Sequence, residues 1–79
     1  MERRRIYNIS VKYIPSYSIE RDVLRRYEFF LDVPYTLMNA EEEEQMLAER
    51  TNKIILDKYG EDTIVDRFLV LTINDAWVF

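Results

Sequence analysis

Four consecutive glutamates, Glu41 to Glu44, are the most conspicuous group of reactive side chains in this sequence. Clustered carboxylates can hold a metal ion, or can imitate the phosphates of a nucleic acid and occupy the basic groove of a protein that binds one. Consecutive helix residues point in different directions and no calcium-loop spacing is present, so we predict no metal site. The start of a helix explains the run most simply, because negative charge is stabilised there.

Two basic clusters, Arg3 to Arg5 and Arg25-Arg26, have aromatic residues nearby. This combination can bind the phosphates of RNA. The chain has a net charge of −4, however, so it gains little from the release of phosphate counterions, and direct nucleic-acid binding is disfavoured. We expect the clusters to form a solvated N-terminal arm and a charge-protected edge strand.

The sequence has no recognisable catalytic constellation. It contains no histidine and no cysteine, which removes the usual general base, the commonest metal ligand and all thiol chemistry. It also lacks a glycine-rich phosphate loop and a nucleophile elbow. We therefore expect a protein that is not an enzyme and that binds no metal or cofactor.

Length and composition predict one small domain over residues 1–79, with 48% hydrophobic residues. The basic N-terminus is not followed by an apolar segment, so no signal peptide is expected, and no apolar run is long enough to span a membrane. The absence of cysteine fits a cytoplasmic setting. Residues 1–35 carry a net charge of +2 and residues 36–79 a net charge of −6, which favours a basic or electropositive protein partner.

Two strands are predicted in the first half of the chain. Residues 5–14 alternate apolar and polar side chains until Pro15 interrupts the pattern, which is typical of a half-buried strand. Residues 24–33 are rich in aromatic and β-branched side chains and favour a strand that ends before Pro34. Residues 18–33 also fit one face of a helix, and this alternative remains open.

A helix is predicted over residues 40–58. Asn39 is a suitable N-cap, and Glu42 lies where a reciprocal cap can form. Gly60, the only glycine, stands where a helix commonly ends in a left-handed residue. Lys58 suits the negative end of the helix dipole.

A third strand is predicted over residues 63–73, apolar on most of both sides and hence well covered. Asn74-Asp75 is expected to form a turn, and residues 74–79 a tail.

These elements predict an α+β domain with β-β-α-β order and an antiparallel or mixed sheet. A right-handed crossover gives strand order 2-1-3, with the helix on one face. The expected core beneath the helix is Tyr7, Ile9, Val11, Phe29, Leu31, Leu69 and Leu71. The second face is expected to present Ile6, Leu24, Phe30, Phe68 and Val70.

Residues that the core does not require are the candidates for a binding surface. Tyrosine and tryptophan are enriched at interface hot spots, and some fall at element ends. Two helix residues lie off the apolar stripe, and two acids point outward. The predicted partner-binding residues are Met46, Leu56, Tyr35, Tyr59, Phe30, Phe68, Trp77, Glu41 and Glu42.

We therefore expect a protein-binding module that inhibits or redirects a larger partner. In size and composition the chain is similar to the small acidic proteins that bacteriophages make to block host machinery, a likeness that no motif carries. Two alternatives remain: an acidic nucleic-acid mimic that occupies a basic groove, and a structural homodimer formed through the open sheet face or an edge strand.

Overall fold

The computed structural model describes residues 1–15 and 24–78. The elements are β1 (Glu2–Ile14), β2 (Arg25–Pro34), α1 (Ala40–Tyr59) and β3 (Ile64–Val78). The three strands form one sheet in the order β2-β1-β3, and both pairings are antiparallel. The predicted α+β class, the β-β-α-β order and the strand order 2-1-3 are confirmed.

The structure decides between strand and helix for part of residues 18–33. Arg25–Pro34 is a strand and pairs with β1 along its whole length. The helical alternative is therefore wrong for this part of residues 18–33. Residues 18–23 lie outside the described residues.

The central strand β1 and the edge strand β3 pair over a longer stretch than expected. β1 begins at Glu2 and pairs with β3 up to Val78. The predicted turn at Asn74-Asp75 and the tail after residue 73 are wrong, since residues 74–78 continue the strand. The physical reason is that the first residues of β1 supply both the backbone ladder and the arginines that hold Asp75.

Helix α1 begins and ends at the predicted caps. The Asn39 side chain accepts a hydrogen bond of 2.8 Å from the backbone N–H of Glu42. Gly60 has φ 112°, a left-handed value that favours glycine, and its N–H donates to the carbonyl of Leu56 at 2.9 Å. These contacts satisfy backbone groups that a helix end leaves open.

The core lies between α1 and one face of the sheet. β1 contributes alternate residues, and the helix contributes one buried stripe. The buried residues of this layer are Tyr7, Ile9, Val11, Tyr13, Leu31, Val33, Leu47, Thr51 and Ile55. Phe29, predicted in the core, is half-buried against it. We call this side of the sheet the helix face and the other side the open face.

The side chains that β3 contributes to the core differ from those predicted. Leu69 is 63% exposed and Leu71 is 40% exposed, while Phe68 and Val70 pack against the core. The placement of Phe68 and Val70 on the open face is therefore wrong. The reason is a β-bulge: Asn8 pairs with Thr72 but Ile9 pairs with Val70, so Leu71 is an additional residue and the alternation of β3 changes phase there.

The sheet is longer than the helix that covers it. A strand of 13 residues such as β1 spans about 44 Å, whereas a helix of 20 residues spans about 30 Å. The molecule measures 48 × 25 × 20 Å along its principal axes. One end of the sheet, where β1 begins and β3 ends, therefore extends past the first turn of α1.

Candidate interaction surface

Strand β3 is the most exposed element of the sheet. It runs for 15 residues, pairs with β1 on one side, and has no strand on its other side within residues 1–15 and 24–78. Besides Leu69 and Leu71, it exposes Ile73 (48%) and Trp77 (57%). β3 therefore combines open backbone hydrogen-bonding groups with exposed apolar side chains, which is the pattern of a strand that pairs with another chain.

The two edges of the sheet differ in how they resist such pairing. β2 carries four charged residues and ends in a proline: Arg25, Arg26, Glu28, Asp32 and Pro34. Charged side chains and proline protect an edge strand from unwanted partners. β3 has seven successive residues, 68–74, without a charge or a proline. Only the β3 edge therefore has the composition of a segment that readily adds a further strand.

Two bulges divide β3 into regular runs. Leu71 and Asp66 are the additional residues, as the register with β1 shifts beside each of them. Bulges bend a strand and interrupt its ladder, so they limit how far a partner can pair. The longest uninterrupted run is 72–78, which is long enough to pair with a strand of average length.

A groove of about 580 Å3 lies beside this edge, between α1 and β3. Leu47, Phe68 and Val70 supply apolar lining. Three acidic residues, Glu43, Glu44 and Asp66, also line it, together with the basic residue Arg67. α1 thus leaves part of the helix face of β3 uncovered, and negative charge surrounds the apolar surface there.

The end of the sheet beyond α1 is held by ion pairs and stacked side chains, which we call the arginine clasp (Arg3, Arg5, Tyr35, Asp75 and Trp77). Arg5 donates to both carboxylate oxygens of Asp75, at 2.7 and 3.1 Å, and Arg3 donates at 3.1 Å. The Arg3 guanidinium lies 3.9 Å from the Tyr35 ring centre and 5.9 Å from that of Trp77. The clasp joins β1, β3 and the segment after β2.

Glu43 joins the clasp to the helix. Its Oε2 accepts hydrogen bonds from the Tyr7 hydroxyl at 2.9 Å and from Arg5 Nη1 at 3.3 Å. Burial, and next the neighbouring Glu43 carboxylate, raise the pKa of Tyr7. Glu43 therefore fixes the first turn of α1 against the sheet, and it lines the groove together with Glu44.

The Asp75 ion pairs predict a specific pH dependence. The hydrogen bond from Arg5 lowers the pKa of Asp75 below its ordinary value of about 4. The stabilisation is therefore fully present above pH 4 and is lost as the pH falls through the lower pKa of the folded state. We expect Asp75→Asn to lower the melting temperature at pH 7, and the difference from the native protein to shrink as the pH falls below about 4.

The matched control is Asp66→Asn, because the one ion pair of Asp66 within the described part of the chain is a 3.7 Å contact with its neighbour Arg67. Thermal unfolding followed by circular dichroism measures both variants across this pH range. A difference between native protein and Asp75→Asn that stays constant down to pH 2 would show that the clasp does not depend on the Asp75 charge.

The structure distributes the predicted binding residues over several surfaces. Phe30 is exposed on the open face, at 73%. Phe68 packs on the helix face, and Trp77 belongs to β3. Tyr35 and Trp77 both lie near the Arg3 guanidinium. The predicted set thus contains two residues of β3, Phe68 and Trp77, but combines them with residues from other elements.

The other predicted residues lie on or near the helix. Met46 is half-buried against the core, and Leu56 is half-buried beside Lys53 and Asp57. Tyr59 stacks on Tyr13, with ring centres 4.3 Å apart. The acids Glu41 and Glu42 are exposed in the first turn of α1. The structure does not bring Met46, Leu56 and Phe30 into one surface.

Sequence reasoning missed Leu69, Leu71 and Ile73 as surface residues. Their exposure could have been inferred from the predicted strand order, because order 2-1-3 places the third strand at an edge of the sheet. A strand with one neighbour and one helix nearby cannot be covered on all sides, even when its sequence is apolar throughout.

No family model, curated protein sequence or solved structure matches this chain significantly. Among residues 1–15 and 24–78, no three acidic side chains are grouped as a metal ion would require. Over the same residues, no helix has the length and apolar character needed to cross a membrane.

Proposed function

We propose that this chain is a non-enzymatic, cytoplasmic protein-binding module that inhibits or redirects a larger partner protein. The contact surface is β3, to which an extended segment of the partner adds as a fourth strand. The observation that carries the proposal is the 15-residue edge with its uncharged apolar segment 68–74. A phage-encoded inhibitor of a host protein would act in this way.

Backbone hydrogen bonds would provide much of the affinity of such a contact, and alternate side chains would provide its specificity. The run 72–78 offers open N–H and C=O groups together with the exposed side chains of Ile73 and Trp77. Tryptophan is among the residues that most often dominate an interface, and the Arg3 guanidinium lies 5.9 Å from the centre of this ring.

The partner segment is expected to be basic. Glu43, Glu44 and Asp66 line the groove beside β3 together with Arg67, and Arg5 pairs with Glu43. The whole chain has a net charge of −4. Charge complementarity of this kind accelerates association and excludes acidic partners more than it adds affinity.

The test begins with capture of the partner on immobilised protein, from cells in which the chain is made. The captured protein is then purified and its association rate measured. We expect the double variant Glu44→Gln, Asp66→Asn to lower that rate roughly tenfold at low salt, with a smaller effect at high salt because mobile ions screen exposed charges.

The matched control is Glu41→Gln, Glu49→Gln. It removes the same two charges from exposed helix residues that do not line the groove. Equal slowing in both double variants would assign the effect to net charge. An association rate that neither pair of substitutions nor salt changes would reject a basic partner segment.

A structural homodimer is the second candidate, because the same edge can pair with a second copy of this chain. Sedimentation of the purified protein at micromolar concentration decides between the two. A dimer that Ile73→Lys converts into a monomer would assign β3 to self-association rather than to a different partner.

A further inference from the structure

Three cations stand side by side on the open face, one from each strand. Lys12 of β1 pairs directly with Arg26 of β2 and with Arg67 of β3. Directly paired residues of an antiparallel sheet point to the same face, so the three charged side chains lie in a row. We call Arg26, Lys12 and Arg67 the cation row.

The row is unfavourable for folding unless an anion is nearby, because like charges on directly opposite residues destabilise a sheet. Arg26 is partly neutralised by Glu28, at 2.6 Å, and the ion pairing of Arg67 with described residues is limited to a 3.7 Å contact with Asp66. Lys12 is half-buried and forms no ion pair with a carboxylate of the described residues. Lys12, in the middle of the row, therefore lacks a carboxylate partner among the described residues, although the protein as a whole has a net charge of −4.

A hollow of about 360 Å3 lies at the row, lined by the three cations together with Ser10, Phe68 and Leu69. Ser10 is buried, and its Oγ accepts a 2.8 Å hydrogen bond from Arg26 Nε. This contact fixes one guanidinium at the hollow. Leu69, which pairs with Ser10 on the open face, supplies an apolar wall next to the charges.

We propose that this hollow binds a phosphate monoester on a small organic group. The phosphate dianion lies against the cation row, and the organic group lies against Leu69. Arginine and lysine form their strongest hydrogen bonds with phosphate and carboxylate oxygens, and a dianion neutralises more of the row than a single carboxylate does. The volume falls within the range of small-molecule sites. The inference does not rest on the proposed function.

The experiment titrates the isotope-labelled protein with three probes while amide chemical shifts are followed by NMR. The probes are inorganic phosphate, a nucleoside monophosphate and the same nucleoside without phosphate. We expect saturable shifts around Ser10, Lys12 and Leu69 with both phosphate compounds and none with the nucleoside. Tighter binding of the monophosphate than of inorganic phosphate supports the apolar wall as part of the site.

Lys12→Gln is expected to weaken phosphate binding about tenfold, which is the loss of one close charge contact. Lys53→Gln removes the same charge from an exposed position of α1 and serves as the control, with unchanged binding expected. Circular dichroism and the amide spectrum show whether both variants keep the native fold. If Lys12→Gln does not fold, Arg67→Gln tests the same row from the exposed edge.

Three results would overturn the proposal. One is the absence of saturable shifts with either phosphate compound. Another is equal weakening by Lys12→Gln and Lys53→Gln, which would reduce the effect to net charge. The third is a nucleoside that binds as tightly as its monophosphate, since the cation row would then play no part.

Discussion

Replacing Ile73 with lysine is expected to weaken partner binding about a hundredfold, the largest functional effect that the structure predicts. A hundredfold change in the dissociation constant corresponds to about 2.7 kcal/mol. Ile73 lies in the regular run 72–78 of the open edge and is 48% exposed, so lysine is tolerated in the free domain. In the complex the charge would lie beside an incoming basic strand, where lysine protects edges against pairing. Calorimetry with the purified partner measures the loss.

The matched control is Phe30→Lys, which makes the same exchange of an apolar side chain for a cation on the open face of β2. We expect its dissociation constant to stay within about twofold of that of the native protein. Strong loss of binding in Phe30→Lys with little loss in Ile73→Lys would move the contact from the β3 edge to the open face.

Replacing Ile55 with alanine is expected to cost about 3 kcal/mol of unfolding free energy, the largest effect on stability. Ile55 is fully buried and packs with Val11 and Tyr13. Truncating a buried isoleucine removes apolar contacts and leaves a cavity. A domain of this size has a total stability of only about 4–12 kcal/mol, so the variant approaches the limit of folding. Urea unfolding measures the change.

Leu69→Ala is the control, and it also tests the bulge at Leu71. Leu69 is of similar size but 63% exposed, so its truncation is expected to cost less than about 0.5 kcal/mol. If Leu69→Ala cost as much as Ile55→Ala, Leu69 would lie in the core and the observed register of β3 would be wrong.

The helix was predictable because its signals are local. Asn39 and Gly60 terminate it through contacts within three or four residues, and these contacts depend only on the nearby sequence. The strand order followed from the order of elements and the handedness of crossovers. Alternation placed Tyr7, Ile9 and Val11 in the core, where the structure buries them.

The faces of β3 were not predictable from alternation. A strand that is apolar on both sides gives no polar residue to mark the outside, so any phase fits the sequence equally well. The additional residue Leu71 changes the phase in the middle of the strand. Phe68 was consequently assigned to the open face, and Leu69 to the core.

The arginine clasp was missed for a different reason. Arg3 and Arg5 contact Asp75 across 72 and 70 residues of sequence. Such pairs have no local signature, and Asn74-Asp75 resembles a turn when it is read without its partners. Only the register between the first and last strands brings the opposite charges together, so the clasp and the end of β3 had to be found from the structure.

Hydrogen–deuterium exchange of the β3 amides, with and without the captured partner, tests strand addition most directly. In the free domain about every second N–H of an edge strand points away from its neighbour and exchanges quickly. We predict that the partner slows these amides over 72–78 at least tenfold and leaves those of β2 unchanged. Slowed exchange around Phe30 or along α1, with β3 as fast as in the free protein, would contradict the account.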